Sequence, residues 1–435
     1  MYNKILNCIS YSQLYSYFRY YNVKQFSLFL RYNKIKKTST LPLLSISDNY
    51  TNYRFASFDN NKSEQQENIE KLLDDATITE EQHVEHESGN WATSPYPKGS
   101  YIPHKNQSQA QHALRPKVDP KETSILLFPG QGTQFVGMGN NLQIFPQVKD
   151  MFDAASEILK YNLLKICLEG PKSKLDQTMY SQPAILVCSL GAVEKLKEEQ
   201  PSAIENCMAA AGYSVGELAA LTFAGVFTFE QAIQLVKVRA EAMHYASEIE
   251  PGGMATIFLS PESKLNYALK KAREWCQDRG IEKPVCRISN YLNPYSKVIA
   301  GHLEALKYLE FNLKEFNLRK MQRLNVSGAF HTELMKPAVE PFLMAIRKMN
   351  INEPMIAVHS NIDGKHYKNS NHIVRNLPKQ ICLPVKWEQT LHILYERPQG
   401  SNFPDTFECG PGSTLRSLLK TVNSKAHSFC TSVNI

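Results

Sequence analysis

Long hydrophobic runs are what this 435-residue chain most plainly lacks. No apolar stretch reaches the roughly 18–20 uninterrupted residues that cross a bilayer, so no membrane span is expected. Cysteine is sparse: nine residues with no C-x-x-C pair offer neither zinc-ligand spacing nor a regular disulfide framework. Reduced thiols and no metal are therefore expected. A dominant charge is also missing. The 49 basic and 42 acidic residues leave a formal charge of +7, too slight for the basic stripe of a nucleic-acid binder, though enough to favour an acidic protein partner. Acidic side chains are absent altogether from residues 1–47, which carry seven Lys or Arg and abound in Ser, Tyr and Leu. That imbalance points to a mitochondrial transit peptide, with an untargeted disordered terminus as the alternative. A secretory signal fits less well, for want of a compact apolar segment followed by a small-residue cleavage site, and cytosolic retention stays an alternative.

Residues 48–120 turn polar and acidic (KLLDDATITEEQHVEHESGNW) and predict a linker. From residue 121 onward the chain is patterned as a folded enzyme core. Ser124 to Phe128 (SILLF) reads as a buried strand running into the loop GQGTQFVGMG. That loop is no nucleotide cradle: a Walker ending is missing, and Phe135 stands where the dinucleotide fingerprint needs its third glycine.

In AAAGYSVGELAAL, Ala209 to Ala211 behaves as the end of a strand, Gly212-Tyr213-Ser214-Val215-Gly216 has the G-x-S-x-G form, and a helix-forming run comes next. A turn this tight forces a serine into strained backbone and lifts its oxygen to the sheet's edge. The Val215 N–H then lies at a helix N-terminus, where an oxyanion would be stabilised. Thr228-Phe229-Glu230-Gln231 predicts a capping box. The helix it opens carries Arg239 in the middle of an apolar face of Ala232, Leu235, Val236, Ala242, Met243 and Ala246. A buried arginine costs several kcal/mol in order of magnitude unless it is paired. Three readings stand open: an internal ion pair, as with Glu217; a stem that snorkels outward; or a fork awaiting a substrate carboxylate.

The next segments read strand (MATIFL), helix, strand (PVCRISNY), strand (SKVIAG), helix and strand (RLNVSG). This β-α-β-β-α-β order predicts a ferredoxin-like unit at residues 252–325, inserted into a catalytic α/β unit of residues 121–251 and 326–435. In VSGAFHTELM, His331 is placed where a strand gives way to a helix and is a candidate general base. QICLPVKW and FECGPGSTL read as loops.

In order and spacing, LLFPGQGTQFVGMG, GYSVGELAAL, VKVRAEAM, NYLNPYSKVIAG, VSGAFHTELMKPA, QICLPVKW and ECGPG resemble the malonyl-CoA:acyl carrier protein transacylases of the dissociated, mitochondrial kind, over nearly all of residues 122–430. The resemblance implies an α/β fold: a large α/β-hydrolase-like subdomain with a parallel sheet, plus the inserted ferredoxin-like subdomain. It implies Ser214 as nucleophile, His331 as base oriented by the backbone carbonyl of Gln380, and the N–H groups of Gln131 and Val215 as oxyanion hole. Arg239 would bind the malonyl carboxylate, Asn290 would help shape the site, and Phe330 would crowd the acyl α-carbon against a methyl branch. The implied partners are malonyl-CoA and acyl carrier protein, whose phosphopantetheine brings the accepting thiol. The resemblance implies no cofactor of the enzyme's own, and a monomer in the mitochondrial matrix serving type II fatty acid synthesis is expected. Tyr213, where many relatives have His, and Leu292 and Ser296, where relatives often have Asn and Gln, depart from the pattern.

Two other readings compete. An α/β-hydrolase esterase or thioesterase shares G-x-S-x-G, but its acid between serine and histidine and its His-Gly-Gly-Gly loop are not evident. A non-catalytic carrier-binding scaffold would have no use for a buried arginine.

Overall fold

A computed structural model describes residues 119–397 and 400–435. The expected targeting segment, residues 1–47, and all but the last two residues of the expected linker lie outside the described residues. The described residues form ten strands in two sheets.

The first sheet is parallel throughout, in the order β10 (Cys430–Ser432), β9 (Asp405–Glu408), β1 (Ser124–Phe128), β2 (Cys207–Gly212) and β7 (Ala357–His359). Parallel sheets need cover on both faces, and strands buried that way read as unbroken apolar runs. SILLF and AAA are such runs. Leu126, Phe128 and Ala210 join one core, whereas Ile125, Leu127, Ala209 and Ala211 point into another on the opposite face. The two-residue side-chain period of a strand produces this split. Because all five strands run the same way, the ends of β1, β2 and β7 open onto one edge, the usual place for a site in such a sheet.

The second sheet has the order β6 (Lys320–Arg323), β3 (Gly252–Phe258), β5 (Ser296–His302), β4 (Cys286–Asn293) and β8 (Val385–Lys386). The first four strands are antiparallel to one another, in the arrangement of a ferredoxin-like unit. Helices Leu265–Gln277 and Leu303–Phe311 bury Ala268, Leu269, Leu306 and Leu309 with Ile257 and Ile299.

The structure corrects the sequence reading at three points. RLNVSG is not a strand: β6 ends at Arg323, and after a last bond from the Leu324 N–H to the Met254 carbonyl of β3 at 2.9 Å the chain turns away, the Val326 N–H donating back to the Leu324 carbonyl at 3.0 Å. His331 therefore comes after irregular backbone, and a short 3-10 helix, Glu333–Met335, leads into helix Lys336–Arg347. Nor are QICLPVKW and FECGPGSTL simple loops. The first contributes β8, which pairs in parallel with β4 and so adds a fifth strand to the small sheet from outside its insert. The second begins within β9.

Candidate active site

The strand β2 ends at Gly212 and helix Gly216–Phe223 begins four residues later, leaving Ser214 at the bend with φ of 54°. Few non-glycine residues adopt that left-handed backbone, which suits a side chain that must project from a sharp turn. The flanking glycines are required by close approach: a Cβ on Gly212 would run into the Gly216 carbonyl, and one on Gly216 into the Phe128 and Pro129 carbonyls. The Ser214 N–H donates to Asn361 Oδ1 at 2.7 Å, and Asn361 Nδ2 donates to the Gly212 carbonyl at 2.6 Å. The loop after β7 thus ties down both sides of the bend.

Two expected groups converge on the Ser214 side chain, and a third orients one of them. His331 Nε2 lies 2.9 Å from Ser214 Oγ, and Arg239 Nη2 donates to the same oxygen at 3.2 Å. The other imidazole nitrogen, Nδ1, sits 2.6 Å from the carbonyl of Gln380. A carbonyl only accepts, so Nδ1 carries the proton and Nε2 presents its lone pair to the serine hydroxyl. His331 itself adopts a φ of 61°, held by its N–H donating to the Ile381 carbonyl at 3.0 Å. Burial, with the nearby Arg239 charge, drives its pKa down to about 3. The imidazole is thus neutral at physiological pH.

Arg239 comes from the middle of helix Phe229–Ile249, whose capping box joins Thr228 and Gln231. It is 1% exposed. Its Nη1 donates to Gln182 Oε1 at 2.6 Å and its Nη2 to Gln380 Oε1 at 2.7 Å. The ion pair with Glu217 offered as one sequence reading does not form among the described residues; instead the Gln380 amide stands between them, its Nε2 donating to Glu217 Oε2 at 2.6 Å. Neutral partners leave the guanidinium's charge uncancelled, and burial lowers its pKa to about 10 while Glu217 holds it up.

The loop carrying Gln131 comes after β1 and lies against the bend, since a Cβ on Gly130 would meet the Tyr213 carbonyl. The backbone N–H groups of Gln131 and Val215 donate to no acceptor among the described residues. Phe330 is buried in the main core beside His331. Asn290 is buried in β4, where its Oδ1 accepts from the Ser289 hydroxyl at 2.7 Å, and no hydrogen bond joins it to Ser214, Arg239 or His331. Among the described residues no group of three or more His, Cys, Asp or Glu could hold a metal ion.

Sequence reasoning missed Gln182 and Asn361, and it named Glu217 only as an ion-pair partner. Each had a signal. Gln182 and Glu217 interrupt apolar helical runs, and Asn361 lies just past a short strand in a parallel sheet.

The acyl transferase domain family model matches residues 125–398. The mitochondrial malonyl-CoA-acyl carrier protein transacylase of Homo sapiens is 49% identical over 329 residues, covering 76% of this chain and 84% of the relative. The malonyl CoA-acyl carrier protein transacylase of Bacillus subtilis is 33% identical over 307 residues, 70% of this chain and 92% of the relative. Among solved structures, the malonyl-CoA:acyl carrier protein transacylase of Xanthomonas oryzae superposes with a TM-score of 0.64 at 28% identity, covering 72% of this chain and 95% of that one. A malonyl-transacylase in complex with a type II polyketide acyl-carrier protein matches with a TM-score of 0.62 at 30% identity, over 72% of this chain and 96% of its own.

Proposed function

The chain belongs to the acyl transferase domain family, among the malonyl-CoA:acyl carrier protein transacylases, and from that membership we propose the steps its site performs. The protein transfers the malonyl group of malonyl-CoA to the phosphopantetheine thiol of acyl carrier protein and serves mitochondrial fatty acid synthesis. The observation that carries the mechanism is the single contact between Ser214 Oγ and the unprotonated nitrogen of His331.

His331 takes the Ser214 proton as the oxygen attacks the thioester carbonyl, and the Gln380 carbonyl steadies the imidazolium that forms. The tetrahedral oxyanion is received by the Gln131 and Val215 N–H groups, each worth about 3–4 kcal/mol in comparable acyl-transfer sites. CoA leaves as its thiol, taking the proton back from His331, and malonyl-serine remains. The carrier thiol then gives its proton to His331 and attacks the ester, and collapse returns Ser214 to its hydroxyl form. Arg239 pairs with the free malonyl carboxylate. An acetyl group leaves that buried guanidinium without its anion, so the charge selects the diacid. Phe330 narrows the space at the α-carbon, and Asn290 supports the wall formed by β4. We infer from the family resemblance that the enzyme acts as a monomer without a cofactor of its own, the carrier bringing the phosphopantetheine.

Transfer assays with malonyl-CoA and acetyl-CoA, in the presence and absence of holo-carrier, test this reading. Arg239→Ala is expected to depress malonyl transfer more than acetyl transfer. An equal loss for both would contradict the carboxylate role, and rapid thioester hydrolysis without carrier would turn the assignment to an esterase.

A further inference from the structure

Glu217 is a fully buried carboxylate that no step of the acyl transfer employs. One oxygen, Oε1, accepts from the Tyr367 hydroxyl at 2.6 Å and from the Asn361 N–H at 3.2 Å. The other, Oε2, accepts from Gln380 Nε2 at 2.6 Å. Gln380 is the next link. Its Nε2 also donates to the Ser214 carbonyl at 2.8 Å, and its Oε1 accepts from Arg239 Nη2.

A glutamine amide has nearly the same shape when its oxygen and nitrogen exchange places, so only its partners decide which end faces which way. Here the decision is one-sided. A guanidinium has donors only and must meet the oxygen; a carboxylate has acceptors only and must meet the NH2 group. Reversal would set donors against Arg239 and an oxygen against the Glu217 carboxylate. The placement also resolves the energetics of the buried arginine. A carboxylate touching Arg239 directly would cancel the charge that an acyl carboxylate needs, whereas one standing an amide's length behind it lends negative potential while the guanidinium itself meets only the neutral acceptors Gln182, Gln380 and Ser214 Oγ among the described residues.

We propose that Glu217 is a positioning residue for acyl selectivity: acting through the Gln380 side-chain amide, it orients the Arg239 guanidinium to receive a carboxylate-bearing acyl group. This rests on the malonyl-transfer reading and assigns the residue behind its specificity. Glu217 touches neither acyl group nor thioester, so its loss acts on the charged substrate before the uncharged one.

The experiment measures kcat/KM and KM for malonyl-CoA and acetyl-CoA in the full-length protein and four variants: Glu217→Gln, Gln380→Met, their combination, and Tyr367→Phe. Glu217→Gln should lower the malonyl-to-acetyl ratio by about tenfold or more, the scale of one charge-assisted hydrogen bond in a buried site. The loss should appear mainly as a raised malonyl-CoA KM, with acetyl transfer falling far less. Gln380→Met keeps the carbonyl that orients His331 but removes the amide, and it should lower the ratio similarly. The combination should add little to either. Tyr367→Phe removes a donor from the far oxygen only and should leave the ratio near that of the unaltered protein.

An unchanged ratio in Glu217→Gln, an equal loss for both acyl groups, additive effects in the combination, or a matching loss in Tyr367→Phe would each overturn the proposal. Should Glu217→Gln not fold, an unchanged ratio in Gln380→Met overturns it instead. Failure of the unaltered protein to prefer malonyl-CoA would count against the transferase reading and not against the role of Glu217 within it.

Discussion

At the scale of single residues, the site holds two titratable groups whose pKa values burial moves in opposite senses. His331 falls from its ordinary 6.5 to about 3, through burial first and the Arg239 charge second. Glu217 rises from 4.5 to about 7 through burial, against the pull of Tyr367, Gln380, Asn361 and Arg239. The linkage signs are opposite as well. Unfolding lets His331 bind a proton the folded state refuses, so its contribution to stability is present above pH 6.5 and lost as pH falls towards 3. Glu217 holds a proton in the folded state that the unfolded state releases, so its contribution is present below pH 4.5 and lost as pH rises through 7. Between pH 4.5 and 6.5 the two slopes oppose. Thermal melts across that window should therefore show Glu217→Gln gaining stability with pH more steeply than the unaltered protein, because only the His331 slope survives. Parallel profiles would show that the two groups do not titrate as their burial requires. Arg239 was legible in the sequence at this scale because a helix's period exposes a misplaced charge. The chain from Arg239 through Gln380 to Glu217 was not, since its links are 141 and 163 positions apart and local pattern carries no record of them.

At the scale of elements, the bend at Ser214 was the most legible feature, and the reason is steric. A strand and a helix joined this closely need glycine where backbone meets backbone, and that need is written within five residues. Gly216→Ala tests it. Its Cβ would collide with two carbonyl oxygens of the β1 end, which are backbone and cannot rotate aside. The variant should melt well below the unaltered protein and lose Ser214 acylation; full labelling at an unchanged melting temperature would show that the bend has slack. The cap at Thr228 was legible for the same local reason. The segment before His331 was misread because RLNVSG alternates like a strand, while the chain leaves β3 after Leu324 and turns back on itself through the Val326 N–H and the Leu324 carbonyl. β8 escaped notice because two residues are too short for a pattern; they become a strand only by pairing with Asn290 and Tyr291.

At the scale of the whole molecule, the stretch from Gln380 to Tyr395 passes from the catalytic site to the small sheet. Helix Trp387–Tyr395, directly after β8, carries Glu388, whose carboxylate meets Lys297 Nζ of β5 at 2.7 Å, their side chains only 2% and 9% exposed. Burying two charges stabilises little on balance, but removing one partner strands the other. Lys297→Met should destabilise the protein by about 3–5 kcal/mol in urea unfolding, and adding Glu388→Leu should recover most of it. A loss below about 1 kcal/mol, the ordinary value of a solvated pair, would contradict that account. The two sheets were both legible in outline, the parallel one from its unbroken apolar runs and the antiparallel one from its element order. Their connection through a buried ion pair was not.

The central claim is that the Ser214 hydroxyl, activated by His331, carries the malonyl group between two thiols. Intact-protein and peptide mass spectrometry, after mixing with malonyl-CoA and then with holo-carrier, tests it most directly. The account predicts a malonyl ester confined to the Ser214 peptide that passes to the carrier when it is added and persists in buffer without it. An ester on another residue, none at all, or one that decays to free malonate equally fast with and without the carrier would contradict it.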